Sequence, residues 1–412
     1  MQFDQPRAMT RMDWVLLASL YGTQFLAVSF FVVALVAILR SESASLDTIS
    51  MIFMLGLIGP IKLLWAPFVD RLRISSLGHF RGWLMLMQVV TAASLIAISQ
   101  LSLSHQFGVI YGFCILISLA TATQDIAIDG LACSIVPRDQ RPFANGLQIA
   151  GGLIGNMLGG GLILILFPSF GWSGCTLILA ICTALPLVFL VFYQELETVR
   201  SVKPQGQLYR RLFTFWQGPE KSKWLLLIVF LPLAGGMAYG ILTPMLIDFG
   251  WALSEIGLAL NVYGSFAGLL AALAGGWLAS QINRQTALRL GTMFQLVGVL
   301  GIGLVFFSTG NAISASLGIV LYFFAYNPLH TIMATLMMDQ TEADSAATDY
   351  SLQFSLFQFV AIGAMIISSI LAARFGYGSA LLAACSIGVL AIALSFFVLL
   401  GPIIDKKEVA RV

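Results

Sequence analysis

Two carboxylates and one amine stand where an apolar chain should carry no charge. Asp125 and Asp129 lie in A-T-Q-D-I-A-I-D, residues 122–129, inside an apolar stretch that begins near Phe107. Four residues apart on a helix, they project from one face, one turn above the other. Away from the ends of the segments, Lys62 is the one Lys or Arg inside any apolar stretch. An ionised side chain in hydrocarbon costs at least about 2.5–3.5 kcal/mol, so such groups face a partner or an interior cavity. The chemistry open to these three is proton binding and release: one acid pairs with the amine, and the other is left to take up or give up a proton. A fixed ion pair bolting two helices together is the plainer alternative, and it leaves the second acid unexplained.

The elements that hold these groups follow from composition. The chain has 412 residues, 59% hydrophobic and 10% charged, with mean hydropathy +0.93. Soluble domains carry about 25% charge, so an all-α integral membrane fold is expected. A span needs about 20 apolar residues. That length predicts twelve: 14–39, 49–69, 82–102, 107–136, 142–167, 173–194, 223–247, 254–281, 286–308, 312–338, 350–373 and 377–404. The polar start, Met1 to Asp13, precedes an apolar run too long for a signal-peptide core, which predicts a retained first span. Five cysteines scattered through apolar segments, with no CxxC, read as packing residues.

With the N-terminus in the cytoplasm, 18 of the 21 Lys and Arg fall on the cytoplasmic side. The positive-inside rule therefore puts both termini inside. The loop from Asp339 to Asp349 is the exception, with four acids and no base. The longest polar connection separates an N-terminal six-helix half (1–194) and a C-terminal six-helix half (223–412); 195–222 reads as a cytoplasmic linker. Six spans, a linker and six spans is the plan of a transporter built from repeats. An internal echo supports it: Ala66-Pro-Phe-Val-Asp70-Arg71 ending span two resembles Gly276-Trp-Leu-Ala-Ser280 ending span eight. Gly146-Leu147-Gln148 opening span five resembles Ser351-Leu352-Gln353 opening span eleven.

At 1.5 Å per residue, Lys62 lies about 10 Å above the inner end of span two, and Asp125 and Asp129 about 16 and 10 Å above that of span four. The three are level within a helical turn, so contact is feasible. Asp70-Arg71, with Arg138 opening the next basic loop pair, suits gating by a charge latch at the cytoplasmic ends. Spans one, four, seven and ten line the cavity in transporters of this plan. Their polar residues, with others inside the spans, give the candidate substrate contacts Tyr21, Gln24, Gln124, Gln148, Asn156, Tyr239, Asn261, Tyr263, Tyr326, Asn327, His330 and Gln353. An aromatic and amide lining with few fixed charges suits a bulky, partly aromatic, weakly charged solute. Pro244 and Pro328 predict kinks in spans seven and ten. Small residues from Gly151 to Gly161 predict a closely packed face on span five. No GxxxxGK[ST] loop, HExxH or CxxC is present, so nucleotide hydrolysis by a phosphate loop and a protein-built metal centre are not expected. Nothing in the charge pattern points to nucleic acid, and a non-enzymatic monomer is expected.

The whole length resembles a major facilitator superfamily transporter. Lys62-Leu63-Leu64-Trp65-Ala66-Pro67 with Asp70-Arg71, and Ala122-Thr123-Gln124-Asp125-Ile126-Ala127-Ile128-Asp129-Gly130, resemble the group containing the muropeptide permease AmpG and the acetyl-CoA transporters. Tyr21-Gly22-Thr23-Gln24-Phe25, Ala144-Asn145-Gly146-Leu147-Gln148 and Ala347-Thr348-Asp349-Tyr350-Ser351-Leu352-Gln353 resemble the RhtX/FptX siderophore permeases. That resemblance implies a bacterial inner-membrane permease importing a ferric siderophore, pyochelin-like or rhizobactin-like. Iron would enter as part of the cargo, with no bound cofactor and protons as the expected coupling ion. Muropeptide or acetyl-CoA uptake, and drug or siderophore export, are the alternatives within the superfamily. The sequence departs from the superfamily pattern in three places: around Asp70, Ala66 and Leu72-Arg73 stand where that pattern has glycines. Ser280 replaces the acid in the second-half copy of the Asp70 motif, and Asn156 replaces the proline of the exporter pattern on span five.

Overall fold

Helix ends in this chain are set by side chains that satisfy the backbone groups a helix leaves open. The first helix starts at a capping box: Asp13 N–H donates to Thr10 Oγ1 at 3.2 Å, and Thr10 N–H donates to Asp13 Oδ2 at 2.7 Å. Asn283 accepts from Thr286 N at 2.8 Å to start span nine, and Asn311 accepts from Ile313 N and Ser314 N to start span ten. Spans three and six cap each other. Glu195 accepts from Phe80 N and Arg81 N at the first turn of span three, while Arg81 donates to Leu190 O and Val191 O at the last turn of span six. In the second half, Gln285 of span nine donates to Ser395 O at 2.8 Å near the end of span twelve, so the repeat extends to a detail no motif shows.

The computed structural model describes residues 8–41, 46–76, 78–103, 105–195, 209–218, 220–308 and 311–401. Half of the expected linker and the two terminal segments, which carry Arg7, Arg200, Lys203, Lys406, Lys407 and Arg411 of the basic residues used for sidedness, lie outside these residues. The described chain is helical, with no strand among these residues. Among the described residues, ten helical runs are long and apolar enough to cross a membrane. Two features separate that number from the twelve segments of the sequence. Residues 141–192 form one 52-residue run, which changes direction at Gly171, where φ is +62° and only glycine sits without strain. Span two is broken into short pieces, with 3₁₀ turns at Leu55–Leu57 and Lys62–Leu64 ahead of the helix Ala66–Arg71. No piece reaches spanning length.

Spans one, five and eight each carry a π-helical turn, at Phe30–Leu35, Asn156–Leu162 and Leu258–Gly264. The first two are joined, since Ser29 Oγ donates to Asn156 Oδ1 at 3.0 Å. Span five packs closely along span one through its small residues, as expected. A Cβ at Gly155 would lie 2.8 Å from Phe25 Cβ, and Gly151 and Gly159 meet the Tyr21 and Leu26 backbone. Pro244 and Pro328 sit inside helices, Lys221–Asp248 and Ala312–Asp339, that continue through them.

Two compact units emerge. The first holds Met1–Pro137, Gly151–Leu208 and Thr341–Ser351; the second holds Arg138–Ala150, Tyr209–Gln340 and Leu352–Val412. Each therefore contains a short piece of the other sequence half. Those pieces include the opening turns of spans five and eleven, where the sequence repeats itself.

Candidate functional site

In the first unit the three ionisable groups meet. The 3₁₀ turn of span two aims Lys62 at the helix Phe107–Ile135, which carries both acids. Lys62 is 1% exposed, Asp125 7% and Asp129 0%, so none faces lipid. Lys62 Nζ donates to Asp125 Oδ2 and lies 3.6 Å from Asp129 Oδ2. Span one completes the cluster. Gln24 Nε2 donates to Asp125 Oδ1 at 2.7 Å, and the Tyr21 hydroxyl donates to Asp129 Oδ1 at 3.1 Å. The spacing Tyr21-x-x-Gln24 on one helix matches Asp125-x-x-x-Asp129 on its neighbour, which is why both acids find a donor from the same face. Gln24 Oε1 and Gln124 Nε2 are buried with no hydrogen-bond partner among the described residues.

Two charges of one sign share one countercharge here. With both acids ionised the cluster carries a net negative charge in a buried setting; with one protonated it is neutral. Buried ion groups are stable only when paired and hydrogen-bonded, so the arrangement favours one bound proton. Tyr21 and Gln24 hold the two carboxylates from span one.

Asp70 forms a second site in the same unit. Its carboxylate accepts from Ala347 N at 3.2 Å, Thr348 N at 2.6 Å and Thr348 Oγ1 at 2.5 Å. These are the first residues of the helix Ala346–Phe375. A helix N-terminus presents unsatisfied N–H groups and partial positive charge, and a carboxylate is its natural partner. Arg71 joins no hydrogen bond or ion pair among the described residues.

The second unit solves the same problem differently. Ser280, standing where an acid is expected, donates among the described residues to Trp277 O of its own helix. The carboxylate comes instead from Asp339, whose fully buried side chain accepts from Arg141 Nη1 at 3.0 Å and Arg284 Nε at 2.9 Å. Arg284 Nη2 also donates to the carbonyl of Arg138. Arg138, singled out for gating, thus contributes backbone, while Arg141 and Asp339 were missed. A signal existed: an acidic loop with no base of its own must find one elsewhere.

An aromatic column occupies the second unit. Tyr322, Tyr326 and His330 repeat every four residues on one face of span ten. The Tyr322 and Tyr326 rings stack at 5.3 Å and 13°, and Tyr239 of span seven stacks on Tyr322 at 6.1 Å and 24°. His330 meets Tyr326 edge-on at 5.0 Å and Phe357 of span eleven at 5.0 Å. Gly235 is required here, since any side chain on it would run into the Tyr326 ring. Its carbonyl accepts from the Tyr322 hydroxyl at 2.9 Å. Tyr322 and Phe357 were absent from the sequence candidates, although the four-residue spacing of Tyr322 was readable.

Other candidates fall outside both clusters. Asn327 donates to Phe323 O of its own helix, and Gln353 is engaged by Trp224 Nε1 and Met337 O. Asn156 is held by Ser29. Gln148 is buried in the second unit. Asn261 is half-buried, and Tyr263 is 48% exposed on the π turn of span eight.

A sequence profile of the Major Facilitator Superfamily matches residues 17–360. The chain belongs to that superfamily. It is a multi-pass membrane protein. It is 27% identical over 253 residues to the anhydromuropeptide permease of Escherichia coli K12, which covers 60% of this chain and 51% of that protein. An uncharacterized protein of Haemophilus influenzae is 28% identical over 249 residues, 58% of each chain. The aligned region thus spans between half and three-fifths of these relatives. The crystal structure of the human organic anion transporter MFSD10 superposes with a TM-score of 0.70 at 14% identity, covering 94% of this chain and all of that one. That likeness supports the all-helical fold alone.

Proposed function

We propose that this protein is a proton-coupled permease that imports a ferric siderophore by alternating access. The observation that carries the coupling is the buried Lys62–Asp125–Asp129 cluster, two acids on one base with Tyr21 and Gln24 as fixed donors. Uptake of a proton neutralises the cluster, and its release restores the charge, giving two states that a gradient can drive. Asp129 takes the proton, since Asp125 holds the direct bond to Lys62. On this reading the chain has twelve spans in two six-helix halves, 1–194 and 223–412, joined by the linker 195–222. It works as a monomer in the bacterial inner membrane with both termini in the cytoplasm.

The aromatic column from Tyr239 to Phe357 supports a cargo with flat rings, such as a phenolate chelate. Lys62, the one Lys or Arg deep within the apolar segments, is already shared by two acids, so cargo with several free carboxylates or phosphates would find little countercharge. Anhydromuropeptide uptake is the second reading, favoured by the 27% identity to the permease of that name.

The test is uptake into inverted and right-side-out vesicles of radiolabelled ferric pyochelin and, in parallel, a labelled anhydromuropeptide. Gradient-dependent accumulation of the chelate that is lost in Asp129→Asn supports the proposal. Accumulation of the muropeptide in place of the chelate selects the second reading, and uptake indifferent to the gradient and to Asp129→Asn rejects proton coupling.

A further inference from the structure

Asp129 is followed by a glycine whose surroundings connect the two sites of the first unit. Asp129 faces the cluster, with Tyr21 of span one, Lys62 of span two and Asp125 of its own helix around it. The buried Tyr350 of the span eleven helix lies within electrostatic reach of the Tyr21 hydroxyl. Gly130, about 100° further round the helix, points away from the cluster to one side. A Cβ on Gly130 would lie 2.8 Å from Ala347 Cβ, and closer still to the Phe80 ring, distances that real side chains do not tolerate. Ala347 and Thr348 are the residues whose N–H groups Asp70 holds. From the proton-binding carboxylate to the Asp70 clamp the path is therefore one covalent step, one van der Waals contact and one hydrogen bond.

We propose that Gly130 is a positioning residue that couples the carboxylate cluster to the Asp70 clamp on the start of span eleven. The proposal rests on the proton-coupled reading above. Neutralising Asp129 removes its attraction to Lys62 and lets that turn of span four shift. Backbone at Gly130 bears directly on the Ala347 methyl, with no flexible side chain between to absorb the movement. A packed contact of this kind passes displacement on instead of dissipating it. The clamp is then weakened when the proton binds and tightened when it leaves.

Hydrogen–deuterium exchange of the amides at Ala347 and Thr348, measured on the purified full-length protein in nanodiscs, tests the coupling without any cargo. Asp70→Asn serves as the positive control for an open clamp. Asp129→Asn should lower protection at these two amides by about tenfold, while the buried amides of span nine keep theirs. Ala347→Gly removes the methyl against which Gly130 bears. In the Asp129→Asn/Ala347→Gly double variant, the loss relative to Ala347→Gly alone should fall to about twofold or less. Gly130→Ala should open the clamp even with Asp129 intact. Unchanged protection in Asp129→Asn, an equal loss over the whole protein, or a double variant as responsive as the single would each overturn the proposal. Because siderophore and gradient play no part, this measurement succeeds or fails separately from the uptake assay.

Discussion

Lys62 is the residue on which the first unit's electrostatics turn. Deleting one partner of a buried ion pair leaves the other charge unpaired, at about 3–5 kcal/mol. Lys62→Met should therefore lower the melting temperature in detergent sharply. The double variant Lys62→Met/Asp125→Asn should recover much of the loss, since the excess charge goes with the amine. A double variant no more stable than the single would show that the three groups are not one energetic unit. On the proposed reading, Tyr326 plays the comparable part for cargo in the second unit. Ring stacking contributes about 0.5–1.5 kcal/mol, so Tyr326→Leu should raise the half-saturating concentration of a labelled ferric phenolate chelate roughly two- to tenfold. The dependence on the proton gradient should stay as it is. Loss of gradient dependence in that variant would tie the column to coupling and not to cargo.

Spans one and five behave as a single packed element. Their backbones approach through Gly151, Gly155 and Gly159, and their π turns are tied by Ser29 and Asn156. Overpacking such a seam costs about 1–3 kcal/mol, so Gly155→Val should lower the melting temperature clearly. Gly363→Ala, at a glycine with nothing within 4 Å of a new Cβ, should leave it nearly unchanged. Equal effects would mean that the seam is not where the packing is tight. The reciprocal caps of spans three and six were not legible in the sequence. Glu195 and Arg81 are 114 residues apart, and neither carries a local pattern that names the other. The small-residue stripe of span five was legible, because four-residue spacing on a helix is a local property.

At the scale of the molecule, each compact unit borrows a segment from the other half of the sequence. The first unit is incomplete without Thr341–Ser351, which carries the partners of Asp70. Splitting the chain in the region 203–206 and producing the pieces separately should give an unstable N-terminal piece. Co-production should give a complex that copurifies on a tag carried by one piece and regains uptake. A stable N-terminal piece on its own would show that the borrowed segment contributes nothing. Asp339→Asn should leave Arg141 and Arg284 without their shared carboxylate, slow uptake and lower the melting temperature. An unaffected protein would remove Asp339 from any gating role.

Taken by itself, the sequence determined that this chain is a helical membrane protein. It also determined that three ionisable groups lie level within it and that its motifs are those of the superfamily. Those properties depend on runs of apolar residues and on spacing along one helix, which are local. Only the tertiary structure decided that Asp70 binds backbone 277 and 278 residues away. The fold also decided that Asp339 answers the missing acid at Ser280, that Asn327 and Gln353 are occupied by other helices or their own, and that Tyr239 joins the rings of span ten. A buried polar group takes whatever partner the packing of distant helices brings within about 3 Å, and spacing along the chain carries no record of that choice.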